Sequence, residues 1–160
     1  MEDKAQWWFI YSYCGQINEE VSNMAKVNMS TELDVSSEEV WNLIGGFNAL
    51  PDWHPAVEKS ELQKEGSMRR LSIAGGVTII EKLEKMDDKN RLYSYSIIDS
   101  PLPVANYTAT LKVTDLGKGK TKVEWSSEFK PSGATETDAV KVIQGIYQAG
   151  FDNLKKMFGV

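Results

Sequence analysis

At 160 residues, with 41% hydrophobic and 26% charged residues, the chain has the composition of one soluble globular domain, large enough for a core and a pocket. A net charge of −5, with no Lys or Arg run beyond short clusters such as Lys155-Lys156, argues against nucleic-acid and anionic-membrane partners. Cys14 and His54 are the only cysteine and histidine, which excludes an internal disulfide, makes a His/Cys metal site or a Cys–His catalytic pair hard to assemble, and fits a reducing, cytoplasmic compartment.

The N-terminal stretch Trp7-Trp8-Phe9-Ile10-Tyr11 is apolar but too short for a membrane span. Glu2 and Asp3 precede it, whereas a secretory signal wants a basic start and a small-residue cleavage site. Met24 directly precedes the first well-patterned segment, so residues 1–23 are expected to be an extension outside a single domain of residues 24–160. The competing expectation is a short amphipathic helix that docks on the body or on a partner.

From Ala25 the pattern becomes regular. Val27, Met29, Thr31, Leu33 and Val35 alternate with polar residues, as in a strand with one buried face. Ser36-Ser37-Glu38-Glu39 supplies an N-cap serine and first-turn acids for a short helix carrying Val40, Trp41, Leu43 and Ile44, and Gly45-Gly46 ends it. Pro51 and Pro55 break a second short helix or turn between Asn48 and Pro55. Six strand candidates follow, near 56–63, 67–74, 76–86, 91–99, 105–115 and 120–130. Their connections are too short for parallel crossovers, which predicts an antiparallel meander. Finally Ala139, Ile143, Ile146, Tyr147, Gly150, Leu154 and Met157 recur at helical spacing, predicting a long helix from Thr135 to Phe158, capped by Thr135 or Thr137. The economical architecture is α+β: a strongly curved seven-stranded antiparallel sheet around one C-terminal helix, with two short helices after the first strand. One helix cannot fill such a half-barrel at its open end, so an internal pocket is expected.

Two charges break the pattern. Arg69 falls in the row of Leu71 and Ile73, and Glu81 in the row of Val77, Ile79 and Leu83, so both should point inward with their apolar neighbours. Arg70 is out of phase and should face solvent. Burying a guanidinium and a carboxylate costs several kcal/mol each unless they are paired or functional. In a water-poor cavity Arg69 would hold an oxygen bearing developing negative charge, while Glu81 moves a proton. Such a pair suits cyclisation, dehydration or isomerisation without metal or nucleotide cofactor. The same residues fit two other readings: a structural salt bridge between adjacent strands, or a polar anchor for a ligand that is carried or sensed and not turned over. Trp53, Tyr95, Trp125, Tyr147 and Phe151 are candidate lining residues, each with burial in the core as the plainer alternative. His54 is expected in a turn or at the surface, at most at the pocket mouth, and Ser100-Pro101-Leu102-Pro103 is a turn or a lid.

This element order, with Val40-Trp41-Asn42-Leu43-Ile44 after the first strand and an aromatic-rich final helix, resembles the helix-grip superfamily. That group includes START domains, the birch pollen allergen, abscisic-acid receptors and bacterial polyketide cyclase/dehydrase proteins. The resemblance covers about residues 25–158. Glu81-Lys82-Leu83 through Asp87-Asp88-Lys89-Asn90 to Tyr93-Ser94-Tyr95, Tyr107-Thr108-Ala109-Thr110 and Gly66-Ser67-Met68-Arg69 are similar to plant lachrymatory-factor synthases. There the matching Arg and Glu form the catalytic pair, which implies Arg69 and Glu81 here, and Tyr107 matches a pocket tyrosine. The turn Ala74-Gly75-Gly76 is shorter than in those synthases, and Asn106 replaces an aspartate, which leaves pocket shape and substrate open. The resemblance implies a small hydrophobic molecule as partner and no cofactor; it does not set the oligomeric state.

Overall fold

The computed structural model describes residues 24–159; the expectations for residues 1–23 lie outside them. Strand β1 (Ala25–Leu33) is followed by helices α1 (Ser37–Ile44) and α2 (Leu50–Trp53). Strands β2 (Val57–Gln63), β3 (Met68–Ile73), β4 (Val77–Asp87), β5 (Leu92–Asp99), β6 (Val104–Gly117) and β7 (Lys120–Pro131) come next, and helix α3 (Glu136–Phe158) ends the chain. A single 3₁₀ turn, Lys64–Gly66, joins β2 to β3.

The local reasons are those of the sequence. Ser36 caps α1 by accepting a hydrogen bond from the Glu39 amide at 3.3 Å. Thr135, and not Thr137, caps α3, accepting from the Asp138 amide at 3.2 Å, and Gly159 closes the helix in the left-handed conformation at φ 75°. Between β3 and β4, Ile73 pairs with Val77, so three residues turn the chain, and Gly75 and Gly76 take φ of 95° and 85°.

The seven strands form one sheet in the order β1-β7-β6-β5-β4-β3-β2, every neighbouring pair antiparallel. The first strand thus lies beside the last, and the other five connections are hairpins. Irregular register within the β2–β3, β4–β5 and β6–β7 pairs bends and twists the sheet around its concave side. One such bulge sits at Asn106: residues 106 and 107 lie between the pairs Ala105–Lys130 and Thr108–Glu128, and Asn106 has φ 53°. An Asn tolerates that left-handed backbone better than most residues, and the extra residue turns Tyr107 into the interior.

Helix α3 packs across the concave face against β1, β7 and α2. Its buried residues Ala139, Ile143, Tyr147, Gly150, Phe151 and Leu154 meet Val27, Leu33, Val123 and Phe129 of the sheet in one core. It makes no comparable contact with β2 to β5, so the concave face is filled on one side and left hollow on the other. The helix approaches closely at Gly150. A Cβ there would stand 2.9 Å from the Trp53 ring, 3.0 Å from the His54 ring and 3.2 Å from the Trp125 ring. Those three buried rings are in contact with one another and have little room to retreat.

Replacing Gly150 with Ala therefore sets a helix-propensity gain of about 1 kcal/mol against an overpacking cost of about 1–3 kcal/mol. The expected outcome is net destabilisation, seen as a lower urea midpoint; a higher midpoint would show that the rings yield freely.

Candidate active site

Strand register brings the two inward charges together. Arg69 and Glu81 are direct cross-strand partners on β3 and β4. Arg69 is 0% exposed and Glu81 5%. Arg69 Nε donates to Glu81 Oε1 at 2.8 Å, and Nη2 lies 2.8 Å from the same oxygen without the direction of a good hydrogen bond. Arg69 Nη1 donates to the Phe47 carbonyl at 2.7 Å and to Tyr93 Oη at 3.4 Å. The guanidinium plane is boxed by rings, with its carbon 4.3 Å from the Phe47 centroid, 4.9 Å from Tyr95 and 5.6 Å from Tyr93. Nε and Nη1 of Arg69 are thus hydrogen-bonded while Nη2 is not, and both contacts to Glu81 converge on one carboxylate oxygen. Oε2 of Glu81 has no partner among the described residues.

The electrostatics follow. Burial opposes the charge on Arg69, but the Glu81 carboxylate together with Tyr93 and Tyr95 outweighs it, so the guanidinium is held charged with its pKa above the ordinary arginine value. Burial raises the pKa of Glu81 above the usual carboxylate range, and Arg69 opposes that rise through charge and hydrogen bonding. A carboxyl group so placed is a better proton acceptor than an exposed one and can also return the proton.

Glu81 lines a cavity of about 310 Å³ in the hollow beside α3. Leu71, Ile73, Val77, Ile79 and Ile97 form the sheet wall, and Val142, Ile143 and Ile146 the helix wall. Among the described residues the other polar side chains that line it are His54, Tyr95, Tyr107, Trp125 and Tyr147. The three tyrosines form a hydroxyl cluster: Tyr95 Oη is 3.4 Å from Tyr107 Oη, and Tyr107 is hydrogen-bonded to Tyr147. Burial raises the pKa of all three phenols, so they are neutral donors. The cavity opens where Pro101 and Val142 are exposed.

A family model described as polyketide cyclase/dehydrase and lipid transport matches residues 24–159. The chain belongs to that family. Among solved structures, an uncharacterized protein from Bacillus thuringiensis is 42% identical, with TM-score 0.83, over 85% of this chain and 100% of that one. The protein XoxI from Bacillus cereus is also 42% identical, with TM-score 0.82, over 84% of this chain and 95% of that one. The Zhui aromatase/cyclase from a Streptomyces species shares the fold at 18% identity and TM-score 0.68, over 85% of this chain and 92% of that one. No functionally curated protein matches the chain at significance. The polyketide cyclase/dehydrase family and its START-like neighbours make this a helix-grip fold that binds hydrophobic ligands. No described helix is long and apolar enough to cross a membrane.

Within this family fold the sequence-derived candidates fall into two groups. Glu81, Tyr95, Tyr107, Trp125 and Tyr147 reach the cavity surface; Arg69, Trp53 and Phe151 do not. Arg69 sits behind Glu81 and does not line the cavity, so the expectation that it holds a ligand oxygen is replaced by one in which it fixes Glu81. Trp53 and Phe151 are about 1% exposed and pack behind Trp125, at ring separations of 5.4 and 6.4 Å. The helix presses on the sheet there and leaves no void. Arg70 is exposed, as its phase requires.

His54 is the main correction. It follows α2 in a turn but is buried, not superficial, and lines the cavity. Its Nε2–H donates to the Ile146 carbonyl of α3 at 2.8 Å, while Nδ1 accepts from the Ala56 amide at 3.2 Å. That pattern requires the neutral ring, and burial lowers its pKa below 6.5 although the bond to Ile146 opposes the shift. Phe47 and Tyr93, which complete the Arg69 box, carried no functional signal. Phe47 follows the Gly45-Gly46 break outside any periodic stretch, and the Tyr93 row could not be assigned to a face.

Replacing Arg69 with Met leaves a buried carboxylate without its counter-charge and is expected to cost about 3–5 kcal/mol in urea unfolding. Adding Glu81→Leu to that variant should recover most of the loss; a second loss of equal size would mean the two residues act separately. Below about pH 6.5 the unfolded chain binds a proton at His54 that the folded chain resists. His54 therefore contributes fully above that pH, and its contribution declines as pH falls. The stability difference between the native protein and a His54→Gln variant should shrink from pH 7 to pH 5, with Glu81, common to both, cancelling. A pH-independent difference would rule out the neutral, helix-tethering ring.

Proposed function

We propose that the cavity binds a small, largely apolar molecule and that Glu81 Oε2 performs cofactor-independent acid/base chemistry on it, of the cyclisation, dehydration or isomerisation type. The observation that carries this reading is the asymmetry of the buried pair: Arg69 engages only Oε1, and the carboxylate lines a mostly apolar void. A purely structural bridge gains nothing from an uncommitted oxygen, which costs desolvation energy. In this reading Glu81 removes a proton from a ligand carbon or hydroxyl and returns it at another atom, and its pKa, raised by burial above the usual carboxylate range, makes it a stronger base than an exposed carboxylate. Arg69 is a positioning residue that keeps the carboxylate aimed and lowers the cost of its charge. A volume of about 310 Å³ lies at the small end of ligand pockets, and its walls contribute shape and desolvation.

In this reading proton transfer falls to Glu81, the carboxylate that lines the cavity. The alternative is a carrier or sensor in which Glu81 orients the ligand's polar end without turnover.

The test starts with mass spectrometry of small molecules released from the purified protein on denaturation. With that compound or its precursor, Glu81→Gln should reduce turnover by about 10²-fold or more while the protein stays folded by circular dichroism and retains ligand. Full turnover in the variant would refute the catalytic role. Ligand retention with no turnover by the native protein selects the carrier.

A further inference from the structure

The aromatic side of the cavity has one hydroxyl proton more than it can use internally. Trp125 Nε1, which can only donate, gives its hydrogen to Tyr95 Oη at 3.0 Å. Either phenol of each pair can be the donor, but three phenol protons serve two phenol–phenol contacts, so one proton is left over in every arrangement. With Tyr95 already accepting from Trp125, the arrangement in which Tyr95 donates to Tyr107 and Tyr107 to Tyr147 gives each phenol one bond to accept. In that arrangement the proton of Tyr147 has no acceptor in the chain of phenols. Ser127 Oγ is close by and buried, but makes no well-directed hydrogen bond. The Tyr147 ring is stacked on Trp125 with centroids 4.2 Å apart and planes 14° apart, so its hydroxyl is held in place from α3. A buried donor without a partner is costly, and Tyr147 lines the void.

We propose that Tyr147 is the hydrogen-bond donor to a neutral oxygen of the ligand, such as a ketone, ester or ether, and that Trp125 is the positioning residue that sends the proton there. This rests on the reading that the cavity binds a small molecule. The oxygen is neutral because among the described residues no Lys or Arg lines the cavity and Arg69 lies behind Glu81, paired with it, while the Glu81 carboxylate would repel an anion. The ligand therefore carries an acceptor that meets Tyr147 and a proton-bearing atom that meets Glu81. That makes Tyr147 a determinant of specificity and not a wall residue.

The experiment uses the full chain and two probes of matched shape, acetophenone and α-methylstyrene, which differ by an oxygen in place of a methylene. Binding is followed by NMR chemical-shift titration. Desolvation in water affects each probe equally in every variant, so the readout is the ketone-to-alkene ratio of association constants. Tyr147→Phe should lower that ratio about five- to tenfold, the value of one hydrogen bond. Trp125→Phe, which frees the phenol chain to reverse, should lower it by a smaller factor, and Ser127→Ala should leave it unchanged. A ratio unmoved by Tyr147→Phe overturns the inference while leaving the cavity reading intact. A ratio unmoved by Trp125→Phe removes the directing role, and a ratio raised by Ser127→Ala shows that the Tyr147 proton was committed to the serine. Failure of either probe to bind any form of the protein takes down the cavity reading with it.

Discussion

A formal positive charge with no solvent exposure constrains everything around it. Arg69 survives burial only because its Nε and Nη2 meet Glu81, its Nη1 meets the Phe47 carbonyl, and three aromatic rings surround its plane. Each partner comes from a different part of the chain: the loop after α1, strand β4 and strand β5. A register slip of one residue between β3 and β4 would turn Glu81 to the outer face and leave the guanidinium unneutralised. The pair therefore acts as a register pin for one half of the sheet, and the hydrophobic core under α3 secures the other half.

The hollow and the charge pair are two results of one asymmetry. Because α3 lies against β1, β7 and α2, the β2–β5 side of the concave face keeps its inward residues without a helix to cover them. Apolar side chains there can border a void at moderate cost, whereas a polar atom at the same place must find a partner or a use. Family membership fits this division: the hollow lies in a hydrophobic ligand-binding fold, and among the described residues one carboxylate and a phenol cluster border it.

Much of this was legible in the sequence, for identifiable reasons. The inward direction of Arg69 and Glu81 needed only strand alternation, because β3 and β4 pair without a bulge between them. The element order and both helix caps followed from local signals that tertiary contacts do not override. Alternation states which face a side chain takes; it does not state what lies above that face. It could not tell Tyr147, beside the void, from Phe151, one helical turn later and sealed against Trp125. Nor could it show that Arg69 spends its nitrogens on a backbone carbonyl at Phe47. His54 was misjudged because its partner is the carbonyl of Ile146, and main-chain groups leave no compositional trace.

The position of the opening adds a rule of entry. Pro101 and Val142 stand exposed at one end, while Glu81, Trp125 and the phenols are among the least exposed lining groups. In the proposed binding mode a guest travels head first, its oxygen-bearing end leading past greasy walls and its hydrocarbon tail trailing toward water. Homologous compounds that differ only in tail length should then share one seat for the head, with the surplus methylenes accommodated at the threshold and not in the interior.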